Sequence, residues 1–277
     1  MLPALLLAAA LSQLQPLPPA LISLDGEEGQ KLLLESKANR DYFALSSRFL
    51  TQRSTSYCGV ASAVMVLNAM PVAAPEVKEW KPFRAFTEDN VFNDEVRKAA
   101  TPETVSNGGL TVEQLAHLLG GNGVAAKPVF ASASSLEEFR REAAANAGRP
   151  DDFVLVDFWR GDLGQDFGAH WSPVAAYHEG TDRFLVMDVA RFRYPPYWAK
   201  AEDLFKAMST TDTDSGKSRG YILVSAATGA QPRLPIPSMG HRILRVALGA
   251  GLGIFAIGAV AGGLFTRWRM RRKAKAS

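Results

Sequence analysis

One cysteine, Cys58, and four histidines, His117, His170, His178 and His241, make up the whole stock of thiol and imidazole in 277 residues. Cys58 sits where the polar stretch Thr51-Gln52-Arg53-Ser54-Thr55-Ser56 gives way to Tyr57-Cys58-Gly59-Val60-Ala61-Ser62 and an almost wholly apolar run to Ala69. A segment that is apolar on every side, rather than along one stripe, is a helix enclosed by its domain. Ser54, Thr55 or Ser56 is expected to cap its start. A thiol in that first turn meets unpaired backbone N–H groups and the positive end of the helix dipole, both of which favour thiolate and nucleophilic chemistry. Gln52 is placed to offer its side-chain amide to a developing oxyanion, a role worth about 2.7–4 kcal/mol. The competing reading is a cysteine that merely fills core space, as free cysteines commonly do.

A nucleophilic thiol needs a base. His170 opens Ala169-His170-Trp171-Ser172-Pro173-Val174-Ala175-Ala176-Tyr177-His178, which leads through Glu179-Gly180-Thr181-Asp182 into Arg183-Phe184-Leu185-Val186-Met187-Asp188. Two apolar runs around a Gly-containing turn predict a β-hairpin. His170 and Asp188 then fall at the far ends of paired strands, within reach of each other across the ladder. Asp188 would orient the imidazole while His170 takes the thiol proton. The other histidines have plainer places: His117 on an amphipathic helix, His178 beside the turn, and His241 before a hydrophobic tail.

The elements that must position these groups divide by type along the chain. Helices are predicted over Tyr57–Ala69, Thr111–Leu119 and Ser135–Ala145, the last opened by Ser135-Leu136-Glu137-Glu138. Strands are predicted over Phe153–Phe158, around Gly180, and over Gly220–Ser225. The expectation is an α+β fold with a helical N-terminal half, an antiparallel β-rich C-terminal half, and the site in the cleft between them.

The blocks Gln52–Asn68, His170–Trp198 and Asp212–Tyr221, with the unusual string Asp188-Val189-Ala190-Arg191-Phe192-Arg193-Tyr194-Pro195-Pro196-Tyr197-Trp198, resemble the phytochelatin synthase family. The resemblance covers roughly residues 21–226 and implies a papain-like fold and γ-glutamylcysteine dipeptidyl transfer from glutathione. By that likeness Cys58 is the acylated nucleophile, His170 the base, Asp188 its orienting partner and Gln52 the oxyanion donor. It also implies that Asp212 and Arg219 grip the ammonium and carboxylate of the γ-glutamyl group, with Asp214 a close competitor for Asp212. Arginine suits a carboxylate and aspartate an ammonium. Ala169 stands where glycine is expected in many relatives. Eukaryotic members carry a cysteine-rich C-terminal region, whereas here no cysteine follows Cys58; hydrolysis of glutathione is therefore favoured over polymerisation. No protein-bound cofactor or metal is expected, and Cd²⁺ or Zn²⁺ would enter as a glutathione thiolate complex.

Val246–Thr266 is an uncharged apolar run long enough to cross a bilayer, and six basic residues follow it. The expected organisation is a signal peptide over 1–20, a catalytic domain over 21–226, a Pro-containing stalk over 227–243, a transmembrane helix over 244–266 and a basic cytoplasmic tail over 267–277. The positive-inside rule then places the catalytic domain in the periplasm, anchored to a bacterial inner membrane by a single pass. The small-residue pairs Gly249/Gly253 and Gly258/Gly262 suggest a homodimer. Six of the 31 basic residues lie in the tail, which leaves 25 against 28 acidic residues before it. The basic balance therefore reflects topology and argues against nucleic-acid binding. Two other classes stay in view: a periplasmic papain-like peptidase acting on polypeptides, and a non-enzymatic metal or thiol binder, for which one cysteine is a meagre ligand supply.

Overall fold

The computed structural model describes residues 14–227, all within one compact unit. Among the described residues, seven strands build one antiparallel sheet: β1 (Ile22–Ser23), β2 (Val124–Phe130), β3 (Asp152–Trp159), β4 (Ala169–His178), β5 (Arg183–Val186), β6 (Tyr197–Lys200) and β7 (Gly220–Ala226). Their spatial order is β1-β6-β5-β4-β3-β7-β2. The described residues also form seven α-helices: α1 (Glu27–Glu35), α2 (Arg40–Ser46), α3 (Cys58–Ala69), α4 (Pro102–Gly108), α5 (Val112–Gly121), α6 (Leu136–Ala147) and α7 (Ala201–Met208).

The sheet is covered on both faces. On one, α3 and α5 pack with Leu155, Trp171, Ala175 and Ile222; on the other, α6 and α7 pack with Val154, Val156, Phe158 and Tyr221. A strand covered on both sides needs a continuous apolar run, which is what Phe153-Val154-Leu155-Val156 supplies. The expected order of helices before strands holds in outline, since among the described residues six of the seven α-helices precede β3 and five of the seven strands lie from β3 onward, but the two halves do not separate. The N-terminal half supplies both edge strands, β1 and β2, and the C-terminal half supplies α7, so the two halves interleave across one sheet.

The all-round apolar character of α3 has the predicted consequence: every residue except Asn68 is buried. Each fully buried large apolar side chain there, such as Met65 or Leu67, contributes about 1.5–3 kcal/mol. Its one polar core residue, Ser62, donates to the Trp171 carbonyl at 3.2 Å and ties α3 to β4. The capping expectation fails. Tyr57 is the N-cap, its side chain makes no capping bond, and the turn before it closes through Tyr57 N–H donating to the Ser54 carbonyl at 3.2 Å.

The hairpin forms as predicted, from His178↔Arg183 to Val174↔Val186, with a bulge between Val174 and Ala176. Pro173 has no N–H for the ladder, but its carbonyl accepts from Met187 at 2.9 Å, which carries the pairing to the doorstep of Asp188. Asp182, at φ 51°, closes the turn under a bidentate grip from Arg140 on α6. At the other edge, a Cβ on Gly220 would lie 2.0 Å from the Val129 carbonyl oxygen, so only glycine lets β7 lie against β2 there.

Residues 14–20 lie on this domain. Gln15 N–H donates to Arg193 O at 2.7 Å, Leu17 packs against the second core cluster, and the Ala20 carbonyl accepts from Arg183. The domain edge therefore lies before residue 21. The remainder of the expected signal segment, the stalk from residue 228, the transmembrane run and the basic tail fall outside the described residues. Among the described residues, no helix is long and apolar enough to cross a membrane.

Candidate active site

Cys58 is the first residue of α3 and is buried, and its side chain reaches a cavity of about 360 Å³. Asp157, Trp159, Trp171, Asp212, Asp214 and Arg219 line the same cavity, together with the last turn of α4 from Ser106 and the connection that follows it to Thr111. Trp171 organises the thiol's surroundings. Its backbone N–H donates to the sulfur, its carbonyl accepts from Ser62, and its indole donates to Leu110 O at 2.8 Å. Gly59 allows this close packing, since a Cβ there would meet Leu110 and Trp171 side chains at 3.3 Å.

Burial pushes the thiol up to about 11. The backbone N–H groups of Trp171 and Gly59 and the charge of Arg160 pull it down, while Asp157 pushes it further up. The expectation of a resting thiolate is thereby corrected: loss of water outweighs the helix dipole.

His170 Nε2 lies 2.9 Å from Asp188 Oδ1 and 3.0 Å from Ser172 Oγ. A carboxylate only accepts, so Nε2 carries the proton and Nδ1 keeps its lone pair, the tautomer a general base needs. Burial and then the charge of Arg160 hold the imidazole down to about 4, against the pull of Asp188. The site at rest thus pairs a neutral thiol with a neutral base. No hydrogen bond joins Cys58 to His170 among the described residues; the link between them is the backbone of Trp171, the residue after the histidine.

Arg160 is the member of this group that the sequence reading missed. It is 1% exposed, donates to Asp188 Oδ1 at 2.9 Å, lies 2.8 Å from Oδ2 and donates to Gln165 Oε1 at 2.6 Å. Although burial works the other way, His170 and Arg160 hold the Asp188 carboxyl well below the usual carboxylate range. Ala190 N–H completes its shell at 2.9 Å. An arginine closing an apolar strand carries no local signal of such a partner.

Gln52 is buried, with Nε2 donating to Ser54 O at 2.6 Å and Oε1 unpartnered; its backbone N–H donates to Val189 O at 3.0 Å, next to Asp188. Like His170 and Asp188, it does not line the cavity. Its second amide N–H is the one left for an oxyanion.

The stretch around Asp212 is an ordered turn. Asp212 Oδ2 accepts from Ser215 Oγ at 2.6 Å and from its N–H at 3.2 Å, and Thr211 bridges Ser218. Arg219 is 3% exposed, with Nη1 donating to Thr211 O at 2.6 Å and to Thr210 Oγ1 at 3.1 Å, and with its guanidinium over the Trp159 ring. Its carboxylate neighbours are loose: Asp212 at 3.9 Å and Asp157 at 3.7 Å. A buried guanidinium so lightly paired is a natural seat for an incoming carboxylate. Among the described residues, no group of three or more His, Cys, Asp or Glu side chains could hold a metal ion.

A family profile described as Phytochelatin synthase matches residues 12–221. The chain is 34% identical over 223 residues to "Glutathione gamma-glutamylcysteinyltransferase 1" of Lotus japonicus, an alignment covering 79% of this chain and 43% of that protein. It is 32% identical over 214 residues to the protein of the same name from Arabidopsis thaliana, covering 76% and 42%. It is 28% identical over 212 residues to "Glutathione gamma-glutamylcysteinyltransferase" of Schizosaccharomyces pombe, covering 75% and 50%. The chain thus spans half or less of the length of these relatives.

Proposed function

The chain belongs to the phytochelatin synthase family, and from that premise we propose that it cleaves glutathione through a Cys58 acyl-enzyme, releasing glycine. The observation that carries this reading is the shared cavity: the Cys58 thiol opens onto the same space as Arg219 and Asp212, a cation and an anion suited to the carboxylate and ammonium of a γ-glutamyl end.

The residues present support each proton and charge movement. His170 Nδ1 takes the thiol proton as sulfur attacks the cysteinyl carbonyl of glutathione. The second Gln52 N–H and the first-turn N–H groups of α3 are the donors proposed for the growing oxyanion. The C–N bond to glycine breaks, the leaving amine takes the proton back from His170, and a γ-glutamylcysteinyl thioester remains. Asp188, fixed by Arg160, holds the imidazole tautomer throughout. Water is the proposed main acceptor, with a second glutathione amine as the competing one. A Cd²⁺ or Zn²⁺ ion would arrive as a thiolate complex of the substrate. We further propose that 246–266 anchors the domain to a membrane, in the periplasm, and that the glycine pairs in that run favour a dimer.

The test is an assay of the full-length protein with glutathione and with unstructured peptides. Glycine and γ-glutamylcysteine released from glutathione, with the peptides left intact, is the expected result. Peptide cleavage without glutathione turnover would replace this reading by that of a polypeptide-cleaving peptidase.

A further inference from the structure

We propose that Asp157 is a further anion for the substrate's ammonium in the Cys58 cavity, beside Asp212. The inference rests on the γ-glutamyl reading above and deepens it.

Asp157 lies in β3, in register with Trp171, whose backbone holds the Cys58 sulfur. It is 3% exposed and lines the cavity, yet its carboxyl makes no hydrogen bond among the described residues. Oδ1 is buried without a partner, and so is Arg219 Nε, 3.7 Å away. Two opposite charges that stop short of a hydrogen bond, both cut off from water, leave donor and acceptor capacity unspent. A zwitterionic amino-acid end supplies the missing partners, its carboxylate completing the Arg219 fork and its ammonium reaching the Asp157 oxygens. Asp212 has less to give, since Ser215 already occupies Oδ2 twice and the Asp214 N–H lies 3.4 Å from Oδ1.

Burial also pushes the Asp157 carboxyl well above the usual carboxylate range, with Arg219 opposing and Asp212 adding to the rise.

The experiment compares glutathione with glutaryl-Cys-Gly, which lacks only the α-ammonium, on full-length wild type, D157N and D212N. Wild type is expected to prefer glutathione by about ten- to a hundredfold in kcat/KM, the worth of one charge-assisted hydrogen bond in a buried site. In D157N that preference should fall to within about twofold, because the loss in kcat/KM falls on glutathione far more than on glutaryl-Cys-Gly. Equal losses on both substrates would make Asp157 merely structural and overturn the proposal. So would a preference kept in D157N and lost in D212N. Calorimetric titration of both tripeptides into C58S and C58S/D157N reads the same ratio as affinity, free of turnover. Wild type that prefers glutathione while D157N does too defeats this inference alone; wild type that neither binds nor cleaves glutathione defeats the γ-glutamyl reading and this inference with it.

Discussion

At the scale of single residues, the catalytic group is governed by desolvation. Cys58 at about 11 and His170 at about 4 are both neutral through the physiological range, so proton transfer waits for substrate. Alkylation of Cys58 by iodoacetamide in the absence of substrate should therefore climb steadily toward pH 11; a plateau near pH 6 would reveal a resting thiolate–imidazolium pair instead. Arg160 makes a second residue-scale prediction. Its charge pushes His170 down, so removing it raises the imidazole pKa and moves the acid limb of kcat/KM up from about pH 4. Arg160→Ala also leaves the Asp188 carboxylate buried with one partner fewer, at a cost of about 3–5 kcal/mol in stability. An unshifted acid limb in a folded Arg160→Ala protein would contradict this role. Neither Arg160 nor Asp157 was legible in the sequence. Both sit in or beside an apolar strand, and what makes them part of the site is a partner 28 or more residues away, brought close only by the sheet.

At the scale of elements, what could be read was whatever carries its environment in its own pattern. An all-round apolar run placed α3, and two apolar runs around the turn at Gly180 placed β4 and β5. The edge strands escaped. β2 is Val124-Ala125-Ala126-Lys127-Pro128-Val129-Phe130, with Pro and Lys in a half-exposed run typical of an edge, and β1 is two residues long. Asp188 was legible because hairpin geometry alone brings it to His170. The seam where α2 docks near α6 and the start of β3 yields a stability prediction. Burial, then Asp152, pushes Asp41 up to about 9 against the pull of Arg149, and Asp41 Oδ2, Asp152 Oδ1 and Asn146 Oδ1 are all buried without hydrogen-bond partners. A folded pKa above the unfolded value of about 3.9 gives stability that is full below pH 4 and is lost as pH rises toward 9. Asp41→Asn should therefore stabilise the protein by about 1–3 kcal/mol at pH 8 and have little effect at pH 4, as denaturant titration would read. A loss of stability at pH 8 would mean that the Asp41 charge is satisfied.

At the scale of the whole molecule, one sheet carries the site. β3 and β4 bring Asp157, Trp171 and His170 together, the hairpin adds Asp188, and the turn before β7 adds Asp212 and Arg219. The sequence beyond this unit is read from pattern alone: an uncharged run followed by Arg267, Arg269, Arg271, Arg272, Lys273 and Lys275. If it anchors the domain as proposed, a reporter active only in the periplasm works when fused before His241, and one active only in the cytoplasm works after Ser277. The reverse pattern would overturn the orientation. The central claim, however, is a covalent bond at one sulfur. Full-length wild type mixed with glutathione and quenched within a turnover should gain the mass of one γ-glutamylcysteinyl group, mapped by peptide mass spectrometry to Cys58, and Cys58→Ser should gain none and release no glycine. Glycine release by the serine variant, or turnover by wild type with Cys58 never modified, would contradict the account.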